Sequence, residues 1–400
     1  MDLDKYKPKF LTDDESKEIA TQQILSFLSV DEEESHKRGP SKALFSFSKI
    51  PAAAIGDKTP FFKWQSRPIY DVDGVLLFWD QSIQLDKTNT LTVRTAGSDL
   101  LRTPVWSVRA GETHGFDTLI TDALSTLTDS PLAPVLVKPE KTPRLICYAY
   151  PRLGILAASP AHPDRRYIVD LSNREIVPVE KNEEHEKGEP REESVNTIWS
   201  PYDLVTRATV ERFRARFRRQ RAELPAMPTS PEQIPPAIAA AREKVEEKTT
   251  IPALTKTGQV KSFFCAPATM QMILLLYDVI KKQREIADVM LTTEAGTEPD
   301  DQADAVDNLT SFVFVGSLDE TTSFTEAKDE LRLDRPFKVG SLAHARACGG
   351  FMTETNGKEW LHIYDPWPQF KGDVYFEAWE TDYLVDFIYV RPAPPPPPPP

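Results

Sequence analysis

The sequence predicts an α+β protein in two parts: a strand-rich N-terminal domain and a C-terminal domain with a central helix packed on an antiparallel sheet. The chain has 400 residues, more than one domain usually needs. Short apolar runs separated by turn residues fill residues 43–180, as in a sheet. Residues 224–236 contain five prolines in thirteen positions, which excludes a helix or a central strand there. That proline-rich segment is therefore expected to separate the two parts.

The N-terminal segment is expected to be an acidic helical arm, residues 1–42. "TDDE" at residues 12–15 is a capping-box pattern, in which a side chain satisfies the first free N–H groups of a helix. Apolar residues follow at roughly helical spacing (Ile19, Ile24, Leu25, Leu28). The charged run "DEEESHKRGPSK" at 31–42 is expected to end this helix.

Residues 43–223 are expected to form a strand-rich α+β domain whose role the sequence does not indicate. Asp73-Gly74, between apolar runs, predicts a hairpin turn. A helix is expected around Phe116 to Leu127. Further strands are predicted at the apolar runs "LTVRT", "PVWSV", "RLICYAY", "LGILA" and "RYIVDL".

An arginine-rich helix is expected to end this domain. Ser200 is a good N-cap, Pro201 a good first helical residue, and seven arginines lie between positions 207 and 221. The favoured interpretation is a solvated helix that balances an acidic protein. Binding of an anion or of RNA is the alternative, although the formal net charge of −13 argues against general nucleic-acid binding.

The remaining segments complete the expected division of the chain. Residues 224–250 are predicted to be a proline-rich linker followed by a short helix, "AIAAAREKVEEK" at 237–248. Residues 251–391 form the C-terminal domain, and 392–400 a polyproline tail. The first residues contain no apolar segment typical of a signal peptide, and no apolar run is long enough to cross a membrane. A cytoplasmic protein is expected, with secretion by a route that needs no such signal left open.

The stretch "GQVKSFFCAPATMQMILLLY" at 258–277 holds a candidate nucleophile, Cys265. Pro267 and Ala268 suit the first turn of a helix that the apolar run continues, so Cys265 would lie at the helix N-terminus. The positive end of the helix dipole favours a thiolate there. A lone cysteine at a helix start is more often structural than catalytic.

A cysteine nucleophile needs a base and an orienting acceptor, and the sequence contains candidates for both. His344, in "GSLAHARACGGF", lies on a predicted strand with small neighbours. Asp365, in "KEWLHIYDPWP", ends a second predicted strand, which would lie beside the first. Gln259 could donate to an oxyanion together with the Cys265 backbone N–H. His362 is a rival base, but on a strand it would face away from Asp365.

These motifs resemble those of the papain-like cysteine peptidases. Gln259 and Cys265 show the family's Gln-x5-Cys arrangement. "HARACGGF" is similar to its His-Ala-x-Ala-x-x-Gly-aromatic strand, and "DPW" at 365–367 stands where the family has Asn-Ser-Trp. The closest resemblance is to compact bacterial members, the bacteriocin-processing type and related effector peptidases. It is limited to about residues 251–391.

The resemblance implies the papain-like fold for the C-terminal domain and peptide-bond hydrolysis by a Cys265–His344–Asp365 triad, with Gln259 as oxyanion donor and without a cofactor or a metal. The sequence departs from the family at Ala266 and Ala343, where other residues are usual; neither position supplies a catalytic group. The expected partner is a peptide or protein substrate, with no membrane involved.

Two alternatives to a peptidase stay open at this point, besides nucleic-acid association through the arginine-rich helix. The same triad could perform deamidation, transglutamination or another acyl transfer, or the chain could be a non-catalytic interaction module. The N-terminal half could regulate the enzyme, and in that case the charged loop at 181–193 or the linker at 224–236 would be the cleavage point. A zinc site is disfavoured because no ligand pair has short spacing.

Overall fold

A computed structural model describes most residues of the chain. These are residues 6–37, 62–84, 89–112, 116–129, 144–158, 166–179, 198, 200–228, 230, 233, 237, 245–341, 344–379 and 383–394. The predicted charged loop at 181–193, and the tail from residue 395, lie outside the described residues.

The described residues form a mixed α/β protein with seven α-helices and fifteen strands. The helices are α1 (Asp13–Lys37), α2 (Phe116–Asp129), α3 (Val210–Ala222), α4 (Cys265–Leu276), α5 (Gln283–Val289), α6 (Pro299–Leu309) and α7 (Phe324–Arg332). The strands of the N-terminal half are β1 (Gln65–Tyr70), β2 (Leu76–Gln84), β3 (Asn89–Ala96), β4 (Val105–Glu112), β5 (Leu145–Ala149), β6 (Arg152–Ala158), β7 (Arg166–Asp170) and β8 (Ile176–Val179). The later strands are β9 (Val245–Thr250), β10 (Phe314–Asp319), β11 (Phe337–Ser341), β12 (His344–Glu354), β13 (Glu359–Asp365), β14 (Asp373–Ala378) and β15 (Leu384–Pro392).

The strands join into one sheet, in the order β10-β15-β11-β12-β13-β14-β4-β3-β2-β1-β5-β6-β7-β8, with β9 paired to β12. The pairs are antiparallel, except that β1 and β5 are parallel. The two halves of the chain meet where β14 pairs with β4, at Phe376–Val108 and Glu377–Ser107. The predicted large antiparallel component is thus present, and it continues from one half into the other.

Local signals predicted many of the elements. The Asp73-Gly74 turn joins β1 to β2, with Gly74 at φ +83°, a conformation that glycine adopts without strain. The capping box at the start of α1 is present: the Glu15 N–H donates to Thr12 Oγ1 at 3.2 Å, and the Thr12 N–H donates to Glu15 Oε2 at 3.0 Å. Helix α4 begins at Cys265, as the apolar run after it indicated.

Three predicted boundaries are wrong. Helix α1 continues to Lys37 through the acidic run, because Glu and Lys are themselves good helix formers. Residues 245–248, predicted as helix, belong to strand β9, since pairing with β12 provides a partner for their backbone groups. The predicted helix after Ser200 is a 3₁₀ turn (Pro201–Leu204) separated from α3. Its cap is nevertheless the expected one, because Ser200 Oγ accepts from the Tyr202 N–H.

Candidate active site

The N-terminus of helix α4 carries Cys265 against the sheet. Thr269, one turn later, is buried and its hydroxyl donates to the backbone carbonyl of Ala345 at 3.0 Å. Ala345 directly follows His344 on β12, so this bond sets the position of the helix along the strand. Cys265 is a partly exposed residue, whereas Cys147 and Cys348 are buried. A thiol at this place can meet both an internal partner and a molecule from solvent.

His344 and Asp365 are joined by a short hydrogen bond between His344 Nε2 and Asp365 Oδ1, at 2.6 Å, with both side chains buried. Strands β12 and β13 are antiparallel neighbours, as expected for the two predicted strands. Among the described residues, the other ring nitrogen, His344 Nδ1, has no hydrogen-bond partner. It is therefore the nitrogen left to exchange a proton with another group.

The carboxylate of Asp365 is held by two further donors. The Trp367 N–H donates to Oδ1 at 2.8 Å, and the Tyr375 hydroxyl donates to Oδ2 at 2.8 Å. Together with His344, they engage both oxygens, which fixes the plane of the carboxylate and the ring that it contacts. Tyr375 was not singled out from the sequence, because its role depends on its place on β14 beside β13.

The charges of these groups favour an ion pair. Burial raises the pKa of the Cys265 thiol, but its interaction with the neighbouring His344 ring and the charge of that ring outweigh burial, so the pKa is lowered. Burial lowers the pKa of His344, but Asp365 and Cys265 together raise it above its usual value. For Asp365 the effect of burial is likewise overcome, chiefly by the charge of His344, and its pKa is lowered. The direction in all three is towards thiolate, imidazolium and carboxylate.

Gln259 lies next to the site but is engaged elsewhere. Its backbone N–H donates to Pro366 O at 3.0 Å, in the loop that follows Asp365. Its side-chain Nε2 donates to the carbonyls of Lys261, at 2.8 Å, and Ser262, at 2.7 Å. Both amide hydrogens thus have acceptors, and one would have to be released to reach an oxyanion. The close approach of the two segments needs Gly258, where a Cβ would lie 2.2 Å from Lys371 N.

The alternative base, His362, and the two other cysteines are buried. His362 is buried and stacks on Phe376, with ring centroids 4.6 Å apart, and burial lowers its pKa to about 3. An imidazole of such low pKa is too weak a base to take a proton from a thiol. Burial raises the pKa of Cys147 and of Cys348 to about 12, so neither is an active thiol. Within the described residues, no cluster of three or more metal-ligating side chains occurs.

The N-terminal half contacts the loop after Asp365 at two places. The Arg152 guanidinium, at the start of β6, lies 5.3 Å from the centroid of the Trp367 ring. Its positive charge is a further, smaller contribution to the lowered pKa of Cys265. The Gln369 N–H donates to Ser172 Oγ at 2.8 Å. The loop after Asp365 is therefore packed against residues that the sequence resemblance did not include.

Helix α3 contacts other segments through several of its arginines. Arg214 forms an ion pair with Asp99 at 3.4 Å, Arg221 with Glu15 at 3.8 Å, and Arg216 donates to Trp379 O at 3.2 Å. The two ion pairs agree with the expected helix that balances acidic groups, and the three arginines also tie this helix to other segments. Binding of an anion or RNA through this helix stays the alternative hypothesis. Among the described residues, no helix is both long enough and apolar enough to cross a membrane.

Comparison with known proteins found similarity only to solved structures. No family model matches the sequence, and no curated protein matches it. The peptidase domain of Streptococcus ComA, a bi-functional ABC transporter in a quorum-sensing pathway, is 18% identical, with a TM-score of 0.28, over 35% of this chain and 98% of that domain. A double glycine motif protease from an AMS/PCAT transporter, in complex with the leader peptide, is 18% identical, with a TM-score of 0.27, over 37% of this chain and 100% of the other.

UfSP from C. elegans is 16% identical, with a TM-score of 0.28, over 37% of this chain and 34% of that protein. Each of these matches covers little more than a third of this chain.

Proposed function

We propose that the chain is a cysteine peptidase in which Cys265 is the nucleophile, His344 the general base and acid, and Asp365 the group that orients the imidazole. The observation that supports this best is the partner arrangement of His344. Its Nε2 is bound to Asp365 at 2.6 Å, whereas Nδ1 has no partner among the described residues. The charge of the same ring lowers the pKa of Cys265. A base oriented from one side, beside an accessible thiol of lowered pKa, is the requirement for thiolate chemistry.

The proposed reaction has two stages. The Cys265 thiolate attacks the carbonyl carbon of a peptide bond, and His344, as imidazolium, gives its proton to the leaving amine. A water molecule then transfers a proton to His344 and attacks the thioester, which releases the carboxylic acid and restores the thiolate and the imidazolium. Asp365 keeps the Nε2–H of His344 in place throughout, so Nδ1 is the atom that exchanges protons.

Oxyanion stabilisation in this proposal starts from the Cys265 backbone N–H. As the first residue of α4 it has no acceptor within the helix, and the helix dipole adds positive potential there. Gln259 is retained as the second donor, on the condition that a bound substrate displaces one of its two carbonyl acceptors. Catalytic hydrogen bonds often reach their working geometry only when substrate is bound.

The substrate we propose is an extended peptide with an apolar side chain near the scissile bond. Two exposed apolar residues flank Gln259: Val260, 47% exposed, and Phe370, 73% exposed. Their segments are tied together, because the Phe370 N–H donates to Gln259 O at 2.9 Å and Gln369 Nε2 donates to Val260 O at 3.0 Å. The double glycine protease found by comparison was solved with a leader peptide, which agrees with a peptide as the substrate class.

The test is alkylation of the full-length chain with iodoacetamide at pH 6 to 7, followed by peptide mapping. Cys265 is expected to react at least about a hundredfold faster than Cys147 and Cys348, because ordinary thiols are almost fully protonated there. His344→Ala should remove most of that advantage. His362→Leu, which also removes an imidazole but from an apolar stack, should leave it unchanged.

Equal reactivity of the three cysteines would overturn the proposal and favour the non-catalytic interaction module. If Cys265 is reactive, incubation with peptide libraries decides between hydrolysis and the other acyl chemistry. A cleaved peptide supports the peptidase. A mass change of about one dalton at a glutamine, or a crosslink, would replace it with deamidation or transglutamination by the same residues.

A further inference from the structure

We propose that the N-terminal half is a built-in part of this active site, and that Arg109 and Tyr375 are positioning residues through which strand β4 holds the Asp365 carboxylate. The inference rests on the proposed function, since a positioning role has meaning only if the Cys265–His344–Asp365 group is reactive. It assigns a role to a part of the chain that lies outside the peptidase resemblance.

The first step is a pair of carboxylates on neighbouring strands. Asp365 on β13 and Asp373 on β14 are direct register partners, and both are buried. Like charges opposite each other on adjacent strands repel. Arg109 Nε lies 2.8 Å from Asp373 Oδ2, so its charge compensates the second carboxylate where the first is needed for His344.

The second step links the same arginine to the donor of Asp365. The Arg109 guanidinium lies 5.0 Å from the centroid of the Tyr375 ring, and the Tyr375 hydroxyl donates to Asp365 Oδ2 at 2.8 Å. A cation over an aromatic face restricts the ring and so the direction of its hydroxyl. A single residue, Tyr375, thus lies between Arg109 and the carboxylate that orients the imidazole.

Strand pairing explains why an arginine of the N-terminal half reaches this place. β4 pairs with β14 through Val108–Phe376. One residue further along this antiparallel pair, Arg109 and Tyr375 come opposite each other. The contact is therefore set by the junction of the two halves, which a separate C-terminal domain would lack.

A second set of contacts, centred on Glu377, connects strand β12 with the N-terminal half. Arg346, two residues after His344 on β12, donates from Nη1 to both oxygens of Glu377, at 2.8 and 2.6 Å. Glu377 also accepts from the Tyr383 hydroxyl and, at 3.2 Å, from the hydroxyl of Tyr150 of the N-terminal half. These side chains are fully buried, so a change in one is transmitted to its neighbours.

The inference changes the role expected for the N-terminal half. A removable inhibitor would cover the site and leave a complete triad after cleavage. Here the same half contributes Arg152 beside Trp367, in the loop that follows Asp365, and Arg109 beside Asp373, where that loop ends. On this proposal, its loss would disable the site instead of releasing it.

The experiment measures the rate of Cys265 alkylation against pH, in full-length chains carrying Tyr375→Phe, Arg109→Met or both. Tyr375→Phe keeps the ring under Arg109 and removes one hydroxyl, so it should fold like the parent. Loss of a hydrogen bond to a charged group should slow alkylation at pH 6 roughly tenfold and move the acid limb of the profile to higher pH. Arg109→Met should act in the same direction, and Arg109→Lys should recover part of the rate.

The double variant tests whether the two residues act together. If Arg109 acts through Tyr375, Arg109→Met should add no more than about twofold to the effect of Tyr375→Phe. Arg166→Met is the matched control. Like Arg109, Arg166 is an arginine of the N-terminal half that forms an ion pair, but its partner is Asp73, at 3.1 Å, in the β1–β2 turn. Its pH profile should equal that of the parent.

The outcomes separate the two proposals. A parent chain whose Cys265 is no more reactive than its other cysteines overturns both. A reactive parent with unchanged profiles in Tyr375→Phe and Arg109→Met overturns only the positioning role. If the double variant slowed alkylation by the product of the two single effects, Arg109 would not act through Tyr375. If Arg109→Met fails to fold, as thermal unfolding would reveal, the profile of Tyr375→Phe decides.

Discussion

The two ring nitrogens of His344 differ in their surroundings, and this difference decides what the imidazole can do. Nε2 faces an acceptor, the Asp365 carboxylate, so it carries a proton in both charge states. Nδ1 is then the only ring atom that can gain or lose one. Tyr375 and the Trp367 N–H hold the carboxylate from its other sides. In the proposed function, the reactivity of Cys265 therefore depends on residues up to three contacts away, through His344 and Asp365.

Asp365→Asn is expected to narrow the pH range in which Cys265 reacts. The amide oxygen can still accept from His344, but the charge that raises the pKa of His344 is gone. The imidazolium then loses its proton at lower pH, and the thiolate that it stabilises forms only at higher pH. Each unit by which the pKa of Cys265 rises lowers the alkylation rate on the acid limb about tenfold.

The measurement is the rate of Cys265 alkylation between pH 4 and 9. Asp300→Asn removes an exposed negative charge from the start of α6 and serves as control, with an unchanged profile expected. A profile of Asp365→Asn that coincides with the parent's would mean that the carboxylate does not set the charge of His344.

At the scale of elements, the site depends on how helix α4 lies on strand β12. The helix presents Cys265 at its first residue, and the strand begins with His344. Their relative position is fixed by the buried bond from Thr269 to Ala345 O. A helix that slid along the strand would keep its core contacts but would separate thiol and imidazole.

Thr269→Val is expected to lower both stability and reactivity. Valine has nearly the same shape but cannot donate, so a buried carbonyl loses its partner and the free energy of unfolding should fall by about 1–3 kcal/mol. Cys265 should also react more slowly at pH 6, since the helix is no longer held at Ala345. Denaturant unfolding and alkylation measure the two effects.

Thr255→Val is the matched control, because the Thr255 hydroxyl donates to Ala253 O at 3.4 Å in an exposed loop. It should change the free energy of unfolding by less than about 0.5 kcal/mol. Equal effects of the two substitutions would mean that the bond to Ala345 has no special importance.

At the scale of the whole molecule, the N-terminal arm is part of the C-terminal core. Phe27 of α1 contacts Trp360 of β13 and Phe376 of β14, with ring centroids 5.2 and 5.4 Å apart. Lys358 Nζ donates to Gln23 Oε1 at 2.7 Å, in a buried bond. Trp106 of β4 stacks on Tyr383, with centroids 5.5 Å apart. The two halves thus share apolar contacts as well as the sheet.

Phe27→Ala is expected to destabilise residues far from it in sequence. Removing a buried aromatic side chain should cost about 3–5 kcal/mol, and the cavity would lie between α1 and the β13–β14 strands. Hydrogen exchange in β13 should therefore become faster, together with lower resistance to denaturant. Phe312→Ala, at a residue 65% exposed, should leave both unchanged. If β13 kept its protection, the arm would be an independent appendage.

The sequence alone determined those elements whose signals are local. The Asp73-Gly74 turn, the cap at Thr12, and the helix that begins at Cys265 follow from the residues that form them. The order of Cys265, His344 and Asp365 on a helix and two strands was readable for the same reason. Side-chain type and periodicity carry this information without knowledge of the neighbours.

Only the tertiary structure decided which side chains meet. The bond from Tyr375 to Asp365 arises from the pairing of β13 with β14, and the place of Arg109 arises from the pairing of β14 with β4, whose residues are more than two hundred positions apart. Strand β9, where residues 245–248 were predicted as helix, has the same origin, because it pairs with the distant strand β12. Backbone and polar groups that are buried must find partners, and these come from whichever segments the fold brings together.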